Sequence, residues 1–167
     1  VSKYLARMAE DGVRIRIIGD RSHVAEKVRA AWDHAEARTA NNRRITVSVA
    51  FNYGGRWDVV QACQRAIAEG LRPEQIDEAA LSSRMSLTYA PDPDLFIRTG
   101  GEVRISNFLL WQTAYSELYF TDCLWPDFDE RALDAALEDY ARRDRRFGRV
   151  KTDIAPSGEV VSLPAGS

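Results

Sequence analysis

The chain has 167 residues, 45% of them hydrophobic and 29% charged, with a net charge of −2. That is enough for one compact domain with its own core, and the balanced charge gives no bulk reason to expect a nucleic-acid or membrane partner. No stretch reaches the roughly 18–20 apolar residues that span a bilayer.

Residues 1–11 read as a helical lead-in. The run Arg14-Ile15-Arg16-Ile17-Ile18 turns towards β character and stops at Gly19-Asp20. Residues 21–39 form a predicted helix, with Val24, Val28, Ala31, Trp32 and Ala35 on one stripe. The β-branched run at 45–51 is the strongest predicted strand, and it leads into Asn52-Tyr53-Gly54-Gly55-Arg56. A helix follows over 57–69, with Val60, Cys63 and Ile67 expected on its inner face and Gly70 closing it. Pro73 opens a further predicted helix over 73–85.

Pro91-Asp92-Pro93 is a rigid entry to a strand at 95–98, broken by Gly100-Gly101. Ser106 is expected to cap a helix running to Trp111. A short strand covers 118–120. Asp127 with Glu130 marks a last helix, with Leu133, Leu137 and Tyr140 inward. That helix ends in Arg142, Arg143, Arg145, Arg146 and Arg149, and the tail over 151–167 is expected to be flexible. The order predicts one α/β domain over 1–150 with a mostly parallel central sheet flanked by helices.

Ligands of open α/β sheets bind beyond the carboxyl ends of the strands. Two strand ends here carry a double glycine and arginines: 52–56 and 98–107. Arg98 ends a buried strand, where an unpaired charge is costly. Arg104 and Ser106 arrive after the turn, at what is expected to be a helix N-terminus. Two guanidinium forks, a hydroxyl and a helix end make a diphosphate cradle. The structural alternative has Arg98 paired with Glu102 and Ser106 serving as a cap; the two are compatible. Glu117, in an apolar aromatic run, calls for a partner, either a structural arginine or Mg²⁺. His23 and His34 read as solvated helix residues. Cys63 and Cys123 read as free thiols in a reducing cytoplasm. The arginine run is a basic helix end or a segment that folds over an anionic ligand.

These residues resemble the cis-prenyltransferase family, in its bacterial undecaprenyl diphosphate synthase branch. The resemblance runs through Asn52-Tyr53-Gly54-Gly55-Arg56 and Asp92 to Glu102, then Arg104 to Gln112 and Ala114 to Phe120. It ends on Trp125-Pro126-Asp127-Phe128 and Arg145-Arg146-Phe147-Gly148, covering residues 1–150. It implies condensation of isopentenyl diphosphate with an allylic diphosphate (farnesyl diphosphate) to give undecaprenyl diphosphate, a lipid carrier precursor for cell-wall synthesis. Arg98, Arg104, Ile105 and Ser106 would bind the isopentenyl diphosphate, and Arg146 would reach the partner subunit's site. Glu117 would contribute to Mg²⁺ binding. Asn52, Tyr53, Gly54, Gly55, Arg56, Gly100, Gly101 and Glu102 would support the architecture. A cytoplasmic homodimer is implied, with peripheral membrane contact for product release and no nucleic-acid partner.

The family's first strand with its Asp-Gly-Asn-x-Arg loop, and its Phe-Ser-x-Glu-Asn-Trp segment, do not occur in this sequence. No catalytic residue is therefore assigned within it, and the chain by itself is expected to be inactive. The chain begins without Met or a signal-peptide pattern and reads as a fragment or a processed product. A non-catalytic subunit of a heterodimeric prenyltransferase is the alternative that accommodates the missing motifs. A nucleotide-binding module fits poorly, since no phosphate-loop signature occurs.

Overall fold

The computed structural model describes residues 7–143. Arg145, Arg146, Arg149 and the tail lie outside them. Strand β1 (Val13–Ile18) pairs in parallel with β2 (Ile45–Ala50), Val13 opposite Ile45 and Ile18 opposite Ala50. Helix α1 (Glu26–Thr39) is the crossover that parallel pairing requires. It starts later than the apolar stripe predicts. The Asp20 carboxylate accepts the Ser22 N–H at 2.9 Å, and this local turn competes with helix over the first residues.

The crossover helix also seals the outer edge of β1. Thr39 Oγ1 accepts the Ile15 N–H at 3.0 Å, and the Glu36 carboxylate accepts the Ile17 N–H at 2.8 Å. Both donors would otherwise be an unpaired strand edge. Arg21 holds Glu36 in place at 2.8 Å while donating to the Ile17 carbonyl. Ile15 and Ile18 are buried behind this edge. By contrast β2, the strongest strand by composition, is largely uncovered, with Ile45 57% and Val49 48% exposed.

Helix α2 (Gly55–Ala68) packs through Gly55, Asp58, Ala62 and Ala66. This corrects the expected inner face. Val60 and Ile67 are exposed, and Cys63 is half-buried, because the close approach of neighbouring backbone admits only small side chains. The predicted helix over 73–85 divides into a 3₁₀ turn, Pro73–Gln75, and a short helix α3 (Glu78–Ser82). The Asp77 carboxylate accepts the Ala80 N–H at 2.7 Å and starts the second piece afresh.

Strand β3 (Leu95–Arg98) pairs in parallel with β4 (Glu117–Phe120), Arg98 opposite Phe120. Helix α4 (Glu130–Arg142) is capped by Asp129, whose carboxylate accepts the Ala132 N–H at 3.0 Å. Asp127 instead lies in the 3₁₀ turn Trp125–Asp127. Ala136 is the buried residue of α4, while Leu133 and Leu137 are exposed, again the reverse of the expectation. The fold is α/β with parallel strands flanked by helices. Among the described residues the strands form two separate pairs, β1–β2 and β3–β4, since no ladder joins β2 to β3.

Candidate anion-binding site

The chain reverses after β3 at Gly100 and Gly101, with φ of 87° and 75°, a region that residues with a Cβ rarely enter. The Gly100 N–H bonds to the Cys123 carbonyl at 2.9 Å and the Gly101 N–H to the Thr121 carbonyl at 3.0 Å, pinning this turn to the segment after β4. The reversal brings Arg104 and Ser106 back onto Arg98. Arg98 Nη1 donates to Ser106 Oγ at 2.7 Å and also to the Arg104 carbonyl. Arg104 Nε donates to the same Ser106 Oγ at 3.2 Å. The Glu102 carboxylate gives one oxygen to each arginine.

The three predicted cradle residues therefore converge, and the Arg98–Glu102 pair of the structural alternative is present as well, with Glu102 between the two arginines as their counter-ion. The expected helix is absent. Ser106, Asn107 and Leu109 have φ of 45°, 64° and 48°, left-handed values at which a right-handed helix cannot propagate. Positive charge here comes from the guanidinium groups and not from a helix dipole. Ile105 is half-buried, and its carbonyl accepts the Phe108 N–H at 3.0 Å.

The Asn52–Arg56 turn locks onto this segment. The Gly55 N–H donates to the Asn107 carbonyl at 2.6 Å, and the Arg56 N–H to Asn107 Oδ1 at 3.0 Å. A cavity of about 350 Å³ opens between the two segments, lined by Arg56, Ser106, Asn107 and Leu110. Arg56 thus lines the same cavity as Ser106. Asn52, with φ of 46°, receives the Asp20 N–H on its carbonyl at 3.2 Å and ties this turn to the end of β1.

Beneath the turn lies a polar hub that sequence reading missed. Asp58 is completely buried. Its carboxylate accepts the Tyr53 hydroxyl at 2.8 Å, the Ser86 N–H at 3.0 Å, the Ser86 hydroxyl at 2.7 Å and Gln112 Nε2 at 3.1 Å. Burial pushes the Tyr53 phenol well above its ordinary range, and the hydrogen bond and negative charge of Asp58 add to this. The available signal was spacing: Asp58, Ala62 and Ala66 recur every four residues, which places the carboxylate on the buried stripe of α2.

Glu117 has a protein partner. Its carboxylate accepts Arg143 Nη1 at 2.8 Å, and Arg143 also grips Asp139 at 2.6 Å. Hydrogen bonds from Glu117 and then Asp139 hold the Arg143 pKa above its ordinary value. Among the described residues, no group of three His, Cys, Asp or Glu side chains could hold a metal ion. Of the two partners expected for Glu117, the structural arginine is the one present among the described residues. Arg146 lies outside the described residues. Cys63 and Cys123 are free thiols.

A prenyltransferase family model described as undecaprenyl diphosphate synthase matches residues 1–148. The chain belongs to this family. An isoprenyl transferase of Neisseria gonorrhoeae is 52% identical over 159 residues, covering 95% of the chain and 63% of the relative. A ditrans,polycis-undecaprenyl-diphosphate synthase ((2E,6E)-farnesyl-diphosphate specific) of Xanthomonas axonopodis pv. citri is 56% identical over 149 residues, covering 86% and 58%. The chain thus spans about three-fifths of the length of the curated relatives it matches. Among solved structures, a probable undecaprenyl diphosphate synthase from Campylobacter jejuni superposes with a TM-score of 0.80 at 33% identity, covering 89% of this chain and 69% of that one. Lavandulyl diphosphate synthase from Lavandula x intermedia, solved with dimethylallyl diphosphate, gives 0.79 at 37% identity, with 87% and 67% covered. In this prenyltransferase chain, the Arg98–Ser106 reversal and the Asn52–Arg56 turn carry the polar residues that converge at the strand ends.

Proposed function

We propose that this chain supplies the isopentenyl diphosphate side of a cis-prenyltransferase that extends an allylic diphosphate, farnesyl diphosphate, to undecaprenyl diphosphate. The observation that carries this reading is the convergence of Arg98 and Arg104 on Ser106 at the end of β3, beside an open cavity. Guanidinium forks match diphosphate oxygens in shape and charge, and Ser106 retains a hydroxyl proton to donate. Arg56, facing the same cavity, is a third cation within the site.

In the proposed reaction, C4 of isopentenyl diphosphate bonds to C1 of the allylic partner, the C1–O bond of that partner breaks and its diphosphate departs, and a proton is lost from the isopentenyl unit to leave a Z double bond. The residues described here hold and orient the isopentenyl unit, which is a large part of joining two anionic substrates. Mg²⁺ is proposed for the whole protein, with Glu117, partnered in this structure by Arg143, contributing one carboxylate to it. A homodimer belongs to the same proposal. Tyr115 and Trp125, 87% and 75% exposed, and Leu118 and Leu124, also exposed, are apolar residues in and beside β4 that a second copy would cover. Sedimentation of the intact protein as a monomer would remove that part. Among the described residues no helix is long and apolar enough to cross a membrane. A cytoplasmic site, with peripheral membrane contact as product leaves, completes the proposal.

The test is transfer of labelled isopentenyl diphosphate by the intact protein. Losing a charge-assisted hydrogen-bond partner costs about 1.5–3 kcal/mol, so Arg98→Ala or Arg104→Ala should raise KM for isopentenyl diphosphate by roughly 10- to 150-fold. Unchanged KM in both variants would refute the assignment.

A further inference from the structure

We propose that Glu102 is an internal stand-in for the substrate diphosphate: its carboxylate occupies the arginine fork of the empty site, and an incoming diphosphate displaces it. The inference rests on the reading of Arg98, Arg104 and Ser106 as the diphosphate cradle and adds an occupancy threshold to it.

Three observations carry it. First, the place where two guanidinium groups converge is already filled by an anion, with one carboxylate oxygen on Arg98 and the other on Arg104. Second, the two halves of the fork differ in burial. The Arg98 side chain is 20% exposed and is also tied to the Arg104 carbonyl and Ser106, whereas Arg104 and Glu102 are 63% and 43% exposed. Water screens the outer pair, so breaking it costs little. Arg98 stays in place as the anchor. Third, the Glu102 side chain is itself 43% exposed, so its carboxylate borders solvent into which it can turn when an anion arrives.

Displacement sets a threshold that a weakly bound anion does not cross. The tethered carboxylate is present at high effective concentration and competes with any anion that arrives. A small, weakly charged anion offers the arginines nothing better. A diphosphate brings more oxygens and more charge than the one carboxylate it replaces. Glu102 also keeps the two cations neutralised and aligned between turnovers, preventing mutual repulsion.

A purely bracing role predicts the opposite sign. If Glu102 only holds the arginines in position, removing its charge loosens the fork and weakens binding. The experiment is calorimetric titration of inorganic diphosphate, and separately of inorganic phosphate, into the intact protein in metal-free buffer. Wild type, Glu102→Gln and Arg98→Ala are compared. One like charge at about 4 Å in water is worth about a fivefold change in affinity, so Glu102→Gln should tighten diphosphate by at least that factor. Because the same carboxylate competes with both anions, phosphate should tighten by a similar factor. Arg98→Ala should weaken both.

Unchanged or weaker diphosphate binding in Glu102→Gln, with Arg98→Ala still impaired, overturns the stand-in role and leaves the cradle intact. Equal binding by wild type and Arg98→Ala removes the cradle itself. A wild-type measurement covers the case in which the glutamine variant does not fold. On titration with diphosphate, the Glu102 carboxylate ¹³C resonance should shift and saturate with binding; a resonance that does not move contradicts displacement.

Discussion

At Gly55 a built Cβ would lie 2.7 Å from the backbone nitrogen of Leu110 and 2.8–2.9 Å from its side chain. Backbone cannot swing aside, so Gly55→Ala must push the 106–110 turn away and with it the segment that presents Ser106. Overpacking of this kind costs about 1–3 kcal/mol. Chemical unfolding should register that loss, together with weaker isopentenyl diphosphate binding. Gly54→Ala meets only the Asn107 amide nitrogen, at 2.6 Å, a side-chain end that can rotate, so its loss should be smaller. Equal stability of Gly55→Ala and wild type would mean that the two turns are not locked together.

Tyr53 adds a pH dependence. Its phenol is neutral in the native protein well above pH 10, where the unfolded chain already ionises. The native state then binds more protons than the unfolded one, so stability is complete below pH 10 and falls as pH rises through the raised native value. The slope is at most about 1.4 kcal/mol per pH unit, and less in practice because the ring is only half-buried and water screens it. Comparing alkaline unfolding of wild type and Tyr53→Phe should isolate this slope, and identical slopes would contradict it. At this scale the arginines and Ser106 were legible, because a cation at a buried strand end demands an acceptor. Asp58 was not, because two of its three donor residues, Ser86 and Gln112, lie 28 and 54 residues away in sequence.

Helix α2 makes the element-scale case. Its apolar residues divide into a small stripe, Ala62 and Ala66, both fully buried, and a large one, with Val60 51% and Ile67 65% exposed. Hydrophobic periodicity weighs side chains by size and pointed to the wrong face. The buried face of the helix, on which Gly55 approaches the Leu110 backbone, is the small one. Ala66→Leu should therefore destabilise by about 1–3 kcal/mol through overpacking, while Ile67→Ala should stay within about 0.5 kcal/mol. Thermal unfolding of both variants checks this, and the reverse order would restore the sequence-based face. The same inversion recurs in α4, where Ala136 is buried between exposed Leu133 and Leu137. The absent helix after Ser106 has a different cause. Its local sequence is helix-compatible, and the left-handed values at Ser106, Asn107 and Leu109 follow from the contacts Asn107 makes with Gly55 and Arg56. Only tertiary structure supplies those.

Across the whole molecule, strand identity and the parallel sense were readable because β-branched runs alternate with crossover segments. The grouping into two pairs was not, since register between strands leaves no mark on composition. The pairs are nonetheless coupled. Asn52 holds the end of β1, Gly55 and Arg56 hold Asn107, and the 100–101 turn holds the segment after β4, so the strand ends converge on one locality. That convergence is the basis for assigning an anion site to this prenyltransferase chain. A structure of the intact protein with bound isopentenyl diphosphate tests it most directly. The account predicts diphosphate oxygens within hydrogen-bonding distance of Arg98, Arg104 and the Ser106 hydroxyl, with Glu102 turned out. Diphosphate bound elsewhere, with both arginines still closed on Glu102, would contradict it.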